Sequence, residues 1–301
     1  MTTSAPIALL TESRYVELVP GDWYIENIFE EDGLVAEALA ARGLATERVD
    51  WARPDVDWSR FGLALFRTTW DYFARFAQFE TWLDRVTSHV PLYNHASLVR
   101  WNVDKHYLRD LEDRGVHTVP TVFIERGSTT SLGALLATHG LTQAVLKPVV
   151  SGAARHTYRV DPSRAAAHEE RLASLLKDEA MMLQPFQRDI VERGEMTLVV
   201  IDGRFTHALR KVAKAGDFRV QDDHGGTVHP YTPTPEEIAF AERAMAACDP
   251  VPLYGRVDMI RDNEGALAVM ELELVEPELW FRLHPPAADA LAAGLVRRVS
   301  P

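Results

Sequence analysis

A chain of 301 residues is long enough for two or three lobes, and 47% hydrophobic with 25% charged residues is typical of a soluble globular protein. No apolar run approaches the roughly 18 to 20 residues of a membrane helix, and the N-terminus lacks the basic start of a secretory signal. The net charge of −12 disfavours nucleic acid as a partner, and the single cysteine, Cys248, excludes an internal disulfide and favours the cytoplasm.

The first ninety or so residues alternate strand and helix signals. The predicted strands are APIALL, ATERVDW, FGLALFR and VPLYN, and the predicted helices are EEDGLVAEALAARG and FAQFETWLDRV. This βαβ order predicts a small parallel sheet with helices on its faces, and no Gly-x-Gly-x-x-Gly follows the first strand to indicate a dinucleotide site. The segment after the third strand would lie where open sheets bind ligands. Its candidate substrate contacts are Arg67, Trp70, Asp71 and Tyr72, although Trp70 and Tyr72 would equally well cap the core of this lobe.

The middle of the chain is predicted to mix helices with short strands. One helix is expected over LVRWNVDKHYLRDLEDRG, ending at Gly115. The strands VHTVPTVFI and QAVLKPVV flank the helix SLGALLATHG, and the helix SRAAAHEERLASLLKD precedes the strand AMMLQPF. Lys147, within a strand, either reaches solvent or binds a phosphate, and Lys105 is either a solvated helix position or a phosphate ligand. The loop SGAAR behind Lys147 is a weak glycine-loop signal.

The last third carries the stronger strand signals. The segment EMTLVVIDGRFTHALRKV predicts a hairpin that turns at Asp202 and Gly203. A helix, PTPEEIAFAERAMAAC, has Pro235 near its start. Cys248 at its end is interpreted as a small apolar filler, with a reactive thiol as the alternative, because no histidine or second cysteine lies close in sequence. The strands LYGRVDMI and ALAVMELEL follow, joined by the turn DNEG.

The strand VMELELVEP, from 269 to 277, carries glutamates at alternate positions. At a period of two residues, Met270, Leu272 and Leu274 face one way, and Glu271 and Glu273 face the other. The pattern alone allows a half-buried strand whose acidic face is solvated.

Charged residues on the preceding strand share this acidic face. If the turn is centred near Glu264, Asp258 lies opposite Glu271 and Arg256 opposite Glu273. Directly opposed carboxylates destabilise a sheet by up to roughly 1 kcal/mol. Mg²⁺ would remove the conflict, because it takes hard oxygen ligands and completes its shell with water and phosphate oxygens. The hairpin therefore predicts a magnesium site, in which the arginine suits a phosphate or a developing anion.

Taken in order, these segments resemble the ATP-grasp superfamily, in the branch of glutathione synthetase and related carboxylate–amine ligases. The matching segments are DK (104–105), VHTVPTVF, LKP (146–148), LQPF (183–186), ERGEMTLVVIDG (192–203), ALRKVAKAGDFRVQDDHGG (208–226), YGRVDM (254–259) and MELELVEP (270–277). The segment FRTTWDY (66–72) resembles one found in a bacterial subgroup that includes the cyclo-ligase of the cycloserine pathway.

The resemblance implies an α/β fold with three parts. An open parallel α/β domain for the substrate would occupy residues 1–96, and two α+β lobes that grip ATP would occupy residues 97–184 and 185–301, the last with the metal site. It also implies ATP and Mg²⁺, with two ions in the site and Mn²⁺ able to substitute.

Roles for individual residues follow from the same resemblance. Lys105 and Lys147 would hold the α- and β-phosphates, with Lys211 also near the nucleotide. The segment Gln184-Pro185-Phe186 would pair its backbone with adenine, and Glu195 would bind the ribose. The metal ligands would be Asp258, Glu271 and Glu273, where many relatives have Asn at the last position. Arg256 would stabilise the acyl phosphate, and Arg219 would reach the γ-phosphate or the substrate carboxylate.

The implied activity is an ADP-forming ligase that activates a small carboxylate as an acyl phosphate and joins it to an amine, either of a second molecule or of the same one. The lack of any Ser-His-Asp or Cys-His signal agrees with a mechanism that has no covalent protein nucleophile. A nucleotide-binding regulatory module and a phosphotransferase remain open on the same fold. The expected partners are small molecules, with a homodimer as the default assembly.

Overall fold

The computed structural model describes residues 5–152, 154–220 and 225–299. Ala153 in the SGAAR loop and residues 221–224 in the matched stretch 208–226 lie outside the described residues, as do the two chain ends. The described strands form three sheets, which follow one another along the chain. The domain boundaries at 96/97 and 184/185 stay a prediction.

The first sheet is parallel, as the βαβ order predicts, with strand order β2-β1-β3-β4. Helix α1 begins at Trp23, well before the predicted start at Glu30, because the Asp22 side chain accepts from the N–H groups of Tyr24 (3.0 Å) and Ile25 (3.2 Å). The elements of this part are β1 (Ile7–Thr11), α1 (Trp23–Ala40), β2 (Thr46–Asp50), β3 (Leu63–Thr68), α2 (Phe76–Val86) and β4 (Leu92–Tyr93).

The second sheet is antiparallel, with strand order β5-β8-β6-β7. The residues of this part form α3 (Ala96–Asn102), α4 (Tyr107–Asp113), β5 (Val122–Ile124), α5 (Leu132–Thr138), β6 (Ala144–Pro148), β7 (Tyr158–Val160), α6 (Ala165–Leu175) and β8 (Met181–Pro185).

Two sequence predictions for this region were wrong. The helix expected up to Gly115 is divided into α3 and α4, because the Asp104 side chain accepts from the His106 N–H (2.9 Å) and the Lys105 N–H donates to Val149 O (3.2 Å) rather than to a helical carbonyl. The strand expected over residues 116–124 is reduced to β5, since Pro120 has no N–H to continue a ladder.

The third sheet is also antiparallel and has the order β11-β10-β9-β12-β13. The hairpin turn predicted at Asp202 and Gly203 is confirmed by the pairing of β9 with β10. Sequence reasoning did not predict β7, α7, β11 or α9. The elements are α7 (Asp189–Glu192), β9 (Glu195–Ile201), β10 (Arg204–Val212), β11 (Thr227–Tyr231), α8 (Pro235–Ala246), β12 (Tyr254–Arg261), β13 (Leu267–Glu273) and α9 (Pro286–Val299).

Apolar clusters hold these layers together. One cluster joins the first sheet to α1, α9 and strands of the third sheet, and contains Leu9, Leu39, Val199 and Leu291. Cys248 is buried in a second cluster beneath the third sheet, and burial raises the pKa of its thiol to about 12. The thiol therefore stays protonated, which agrees with its interpretation as an apolar filler. No helix in the described part of the chain is long and apolar enough to cross a membrane.

Two buried asparagines fasten the segments before α4 to the third sheet. The Asn94 side chain donates to the carbonyls of Tyr254 (2.8 Å) and Leu274 (2.7 Å) and accepts from the Leu253 N–H (2.7 Å). Asn102 makes a similar pair of bonds to the main chain at the end of β13 (2.7 and 2.8 Å). These side chains satisfy main-chain groups that would otherwise be buried without partners.

We expect Asn94→Ala to lower the free energy of unfolding by about 3 kcal/mol, because it leaves three buried main-chain groups unsatisfied. Denaturant unfolding at pH 7 measures the change. The control is Glu80→Ala on the exposed face of α2, which we expect to alter stability by less than about 0.5 kcal/mol. Equal effects of the two substitutions would contradict a linking role for Asn94.

Candidate active site

A cavity of about 570 Å³ is lined by side chains from all three parts of the chain. The loops that follow β1 and β3 contribute one wall, strands β6 and β8 a second, and strands β9, β10, β12 and β13 a third. It contains every residue that the sequence assigns to nucleotide, metal or catalysis: Lys105, Lys147, Gln184, Pro185, Phe186, Glu195, Lys211, Arg219, Arg256, Asp258, Glu271 and Glu273.

The register of the β12–β13 hairpin confirms the predicted acidic face. Arg256 is paired with Glu273 and Asp258 with Glu271, and all four side chains line the cavity. One face of the hairpin therefore carries three carboxylates and one guanidinium group toward the same space.

The prediction for Met270 was wrong. A β-bulge lies in β13 opposite the Asp258–Met259 step, so that Met270 has no residue opposite it. Met270 packs against the cluster that contains Phe186 at the cavity, whereas Leu272 belongs to the core cluster beneath the sheet. Bulges redirect side chains in this way, and strict alternation cannot predict them.

Basic side chains neutralise the acidic face in this structure. Lys211 Nζ contacts Asp258 Oδ2 at 2.7 Å and also binds Glu195. Arg256 Nη2 contacts the same Asp258 oxygen at 2.9 Å and also binds Glu273. The carboxylates that the sequence predicts to need a cation thus have cationic partners within the chain.

These contacts divide the carboxyl groups into two kinds. Burial opposes ionisation of Asp258, but Arg256 and Lys211 outweigh it and hold the pKa of Asp258 well below its usual range. Burial raises the pKa of Glu273 to about 7, against the effect of Arg256, and burial also raises the pKa of Glu195. The site combines the firmly ionised Asp258 with Glu273, whose carboxyl group titrates near neutral pH.

Both predicted phosphate lysines lie in the cavity, with different surroundings. Lys105, in the turn between α3 and α4, is 6% exposed, contacts Glu271 at 3.0 Å and donates to Ser151 O at 2.7 Å. Its interpretation as a solvated helix position was therefore wrong. Lys147 has no ion pair within the described part of the chain, and burial lowers its pKa. The other basic residues of the cavity each contact a carboxylate: Arg14, Lys105, Lys211, Arg219 and Arg256.

The carboxylate oxygens fit a magnesium ion by their chemistry, although they do not converge on one point. Among the described residues, no group of three or more histidine, cysteine, aspartate or glutamate side chains is arranged to hold a metal ion. Asp258, Glu271 and Glu273 nevertheless occupy neighbouring positions on one face, and hard oxygen donors are what Mg²⁺ prefers. Convergence requires Glu271 and Glu273 to turn away from their basic partners.

One end of the cavity is apolar. Phe186, at the end of β8, packs against Phe218 with ring centroids 6.0 Å apart and belongs to the same cluster as Val119 and Met270. The Gln184 side chain donates to Thr121 Oγ1 at 2.9 Å, and Arg219 is held by Asp217 at 2.7 Å. Such an end can take a flat aromatic group.

The four candidate substrate residues are divided by the structure. Trp70 and Tyr72 line the cavity, and Tyr72 is only 5% exposed. Arg67 lines a much smaller adjoining pocket, where its Nε donates to Asp32 at 2.7 Å. Asp71 lines neither space, because it accepts from Trp51 Nε1 (2.7 Å) and binds Arg75. The expectation that Asp71 faces the ligand was wrong, since it stabilises the lobe's own core.

Sequence reasoning missed several cavity residues, namely Arg14, Tyr15, Tyr24, Glu276 and Glu278. The two glutamates follow the acidic strand, but the regular alternation stops at Leu274 and Val275, so period-two reasoning gave them no direction. Arg14, Tyr15 and Tyr24 come from the long loop and helix after β1, where the sequence shows no motif that points to a site.

Two family models match this chain. The description "D-cycloserine synthetase DcsG, N-terminal domain" matches residues 7–94, and "RimK-like ATP-grasp domain" matches residues 164–277. The cycloserine biosynthesis protein DcsG of Streptomyces lavendulae is 32% identical over 285 residues, covering 88% of this chain and 92% of that protein.

Solved structures agree with these matches. The crystal structure of D-cycloserine synthetase DcsG has a TM-score of 0.82 at 30% identity, covering 98% of this chain and 99% of that one. The D-alanine–D-alanine ligase from Bacillus anthracis has a TM-score of 0.67 at 15% identity, with coverages of 98% and 97%, a likeness of fold alone.

Lys211 and Lys147 differ in their ion pairs, so substitution of each by methionine should have opposite effects on the free energy of unfolding. Lys211→Met should lower the free energy of unfolding at pH 7 by about 3–5 kcal/mol, because it leaves Glu195 and Asp258 without that cation. Lys147→Met should leave stability unchanged or raise it by up to about 1 kcal/mol, since it removes a desolvated, unpaired charge. Denaturant unfolding measures both, and equal destabilisation by the two variants would show that Lys147 has a structural ion pair.

Proposed function

Because the chain belongs to the ATP-grasp ligases, in the group that includes DcsG, we propose that it activates a small carboxylate as an acyl phosphate and couples it to an amine. ATP-grasp enzymes use ATP and Mg²⁺. The observation that carries the proposal is one cavity shared by three carboxylates, an arginine and Lys147, which has no ion pair among the residues that the structure describes. Residues 1–96 would bind the organic substrate, and the lobes 97–184 and 185–301 would hold the nucleotide.

The proposed nucleotide site follows from charge and polarity. Lys147 makes no ion pair with any described residue, so a phosphate oxygen would supply an anion for it, with Lys105 and Lys211 close by. Adenine would occupy the apolar end beside Phe186, against the main chain of residues 184–186, and Glu195 would accept from the ribose hydroxyls.

The proposed metal ligands are Asp258, Glu271 and Glu273, which would hold two Mg²⁺ ions. When bound, the metal supplies positive charge to the outer phosphates of ATP. Its arrival would separate Glu271 from Lys105 and Glu273 from Arg256, and so free both cations to contact phosphate oxygens.

The proposed reaction has two displacements. A substrate carboxylate attacks the γ-phosphorus of ATP and ADP leaves, and the amine then attacks the acyl carbon while phosphate leaves. Arg256, which lies under the Trp280 ring at 5.0 Å, would stabilise the charge of the transferring group, and Arg219 would hold the γ-phosphate or the substrate carboxylate. The enzyme's contribution is positioning and charge stabilisation.

The relative named D-cycloserine synthetase suggests that the carboxylate and the nitrogen belong to one molecule. We therefore propose intramolecular cyclisation of a small amino-acid derivative, bound against Trp70 and Tyr72. An assay of ADP release separates the possibilities. A cyclo-ligase needs one organic compound, an intermolecular ligase needs an acid together with an amine, and a regulatory module binds Mg·ATP without turnover.

The metal proposal predicts that Glu271→Gln or Glu273→Gln weakens the binding of magnesium AMPPNP at least about tenfold, because each removes an anionic oxygen ligand. Isothermal titration calorimetry measures the affinity. The matched control is Glu264→Gln in the exposed turn of the same hairpin, which should bind normally. Unchanged affinity in both cavity variants would rule out the metal face.

The mechanism predicts that turnover yields ADP and phosphate, with no AMP. Hydroxylamine added during turnover should trap the acyl phosphate as a hydroxamate. Arg256→Ala should lower kcat by roughly 10², the scale of losing one transition-state donor, whereas Arg261→Ala, at the far end of the same strand and outside the cavity, should stay within about twofold. Chromatographic detection of AMP as the nucleotide product would reject the acyl-phosphate route.

A further inference from the structure

Glu276 lies in the same cavity, three residues beyond Glu273, on the segment that leaves β13. It is half-buried and faces the wall built by the N-terminal part of the chain. The Tyr72 hydroxyl donates a hydrogen bond to its side chain, and Trp70 Nε1 donates to its carbonyl at 2.9 Å. The carboxyl group is therefore held at the junction of the substrate wall and the acidic face.

Among the carboxylates of the cavity, Glu276 is the exception in its charge pairing. Within the described part of the chain it has no ion pair, and its polar partner is the uncharged Tyr72. The other acidic residues that line the cavity each contact a basic side chain: Glu195, Asp258, Glu271, Glu273 and Glu278. A carboxylate in a desolvated site without a cation is costly, which makes it a place for a cation brought by a ligand.

The electrostatic surroundings of Glu276 also favour the binding of a cation. Burial and then repulsion from Glu273 raise the pKa of Glu276 to about 8, while Lys105 and the Tyr72 hydrogen bond oppose the rise. The carboxyl group is therefore largely neutral at pH 7 in the ligand-free protein, and an ammonium group beside it would favour the ionised form that can accept a proton. The aromatic side chains of Trp70 and Tyr72 beside it are also favourable neighbours for an organic cation.

We propose that Glu276 binds the protonated nitrogen of the substrate and accepts one of its protons, so that the nitrogen can attack the acyl phosphate. This inference rests on the proposed function. It names the residue that binds and deprotonates the nitrogen nucleophile of that reaction.

The proposed step balances in atoms and charge. The ammonium group gives one proton to the Glu276 carboxylate, and its freed lone pair forms the C–N bond. The C–O bond to phosphate breaks, and phosphate leaves with that electron pair. The second proton lost by the nitrogen goes to the departing phosphate, so that the products are the amide, neutral Glu276 and hydrogen phosphate.

The binding part of the inference can be tested without knowing the substrate. Methylammonium and D-cycloserine serve as amine probes, titrated by calorimetry into the protein saturated with magnesium AMPPNP. We expect at least one probe to bind the wild type and to bind Glu276→Gln at least tenfold more weakly. Glu278→Gln is the matched control, since Glu278 is already paired with Arg282 at 2.6 Å, and should change the affinity less than twofold.

Three results of this titration would overturn the inference. One is equal probe affinity in the wild type and Glu276→Gln, and another is no binding of either probe to the wild type. The third is a matching loss of magnesium AMPPNP affinity in Glu276→Gln, which would make the residue a metal ligand. ADP release by the wild type tests the ligase itself, so failure of the two proposals is distinguishable.

The proton-transfer part is tested by separating the two half-reactions, with any compound that stimulates ADP release by the wild type. Hydroxylamine is largely uncharged at neutral pH and does not need the base. Glu276→Gln should therefore form hydroxamate within about threefold of the wild-type rate, while coupling to the ionised amine falls by roughly 10² and recovers as the pH rises. An equal loss of both rates at every pH would assign Glu276 a structural role instead.

Discussion

The contact on which the cavity depends is the buried Asp258 carboxylate between Arg256 and Lys211. A carboxylate 2% exposed is tolerated only when cations and hydrogen bonds replace its water, and here Lys211 from β10, Arg256 from β12 and the Thr197 hydroxyl from β9 (2.8 Å) do so. The same contact draws three neighbouring strands into one charged surface. Any change to one partner leaves the others uncompensated, so the surface behaves as a unit.

A second constraint fixes this surface relative to the N-terminal wall. Asn94 binds the main chain of the third sheet, and the Tyr254 hydroxyl, from that sheet, lies 3.3 Å from Phe66 O in β3 and 2.8 Å from Val275 O. Trp70 Nε1, from the N-terminal wall, donates to the Glu276 carbonyl at 2.9 Å. Hydrogen bonds between main chain and buried side chains thus hold the two walls at a set separation, which is what a reaction governed by positioning requires.

The paired charges and the unpaired ones have different consequences. Paired groups such as Lys105 with Glu271 can exchange partners when a ligand arrives, so the ligand-free protein does not carry the full cost of bare charges. Lys147 and Glu276 have no such partner among residues 5–152, 154–220 and 225–299, and they mark two places where a ligand of opposite charge is favoured. In the proposed function these places receive the phosphates and the amine, with the acyl group between them beside Arg256.

The sequence by itself determined those features that depend on local periodicity. The alternation of Arg256 and Asp258, and of Glu271 and Glu273, sets one shared face for any strand. In the structure the turn DNEG pairs Met259 with Val269, and the bulge next to that pair brings Asp258 opposite Glu271. The βαβ order likewise determined a parallel first sheet. Only the tertiary structure decided which charges meet. The Lys105 N–H bond to Val149 O, the bulge that aims Met270 into the cavity, and the packing that leaves Glu276 without an ion pair among the described residues all depend on how the segments meet in the folded chain. Pairing and desolvation are properties of those contacts, and no local pattern encodes them.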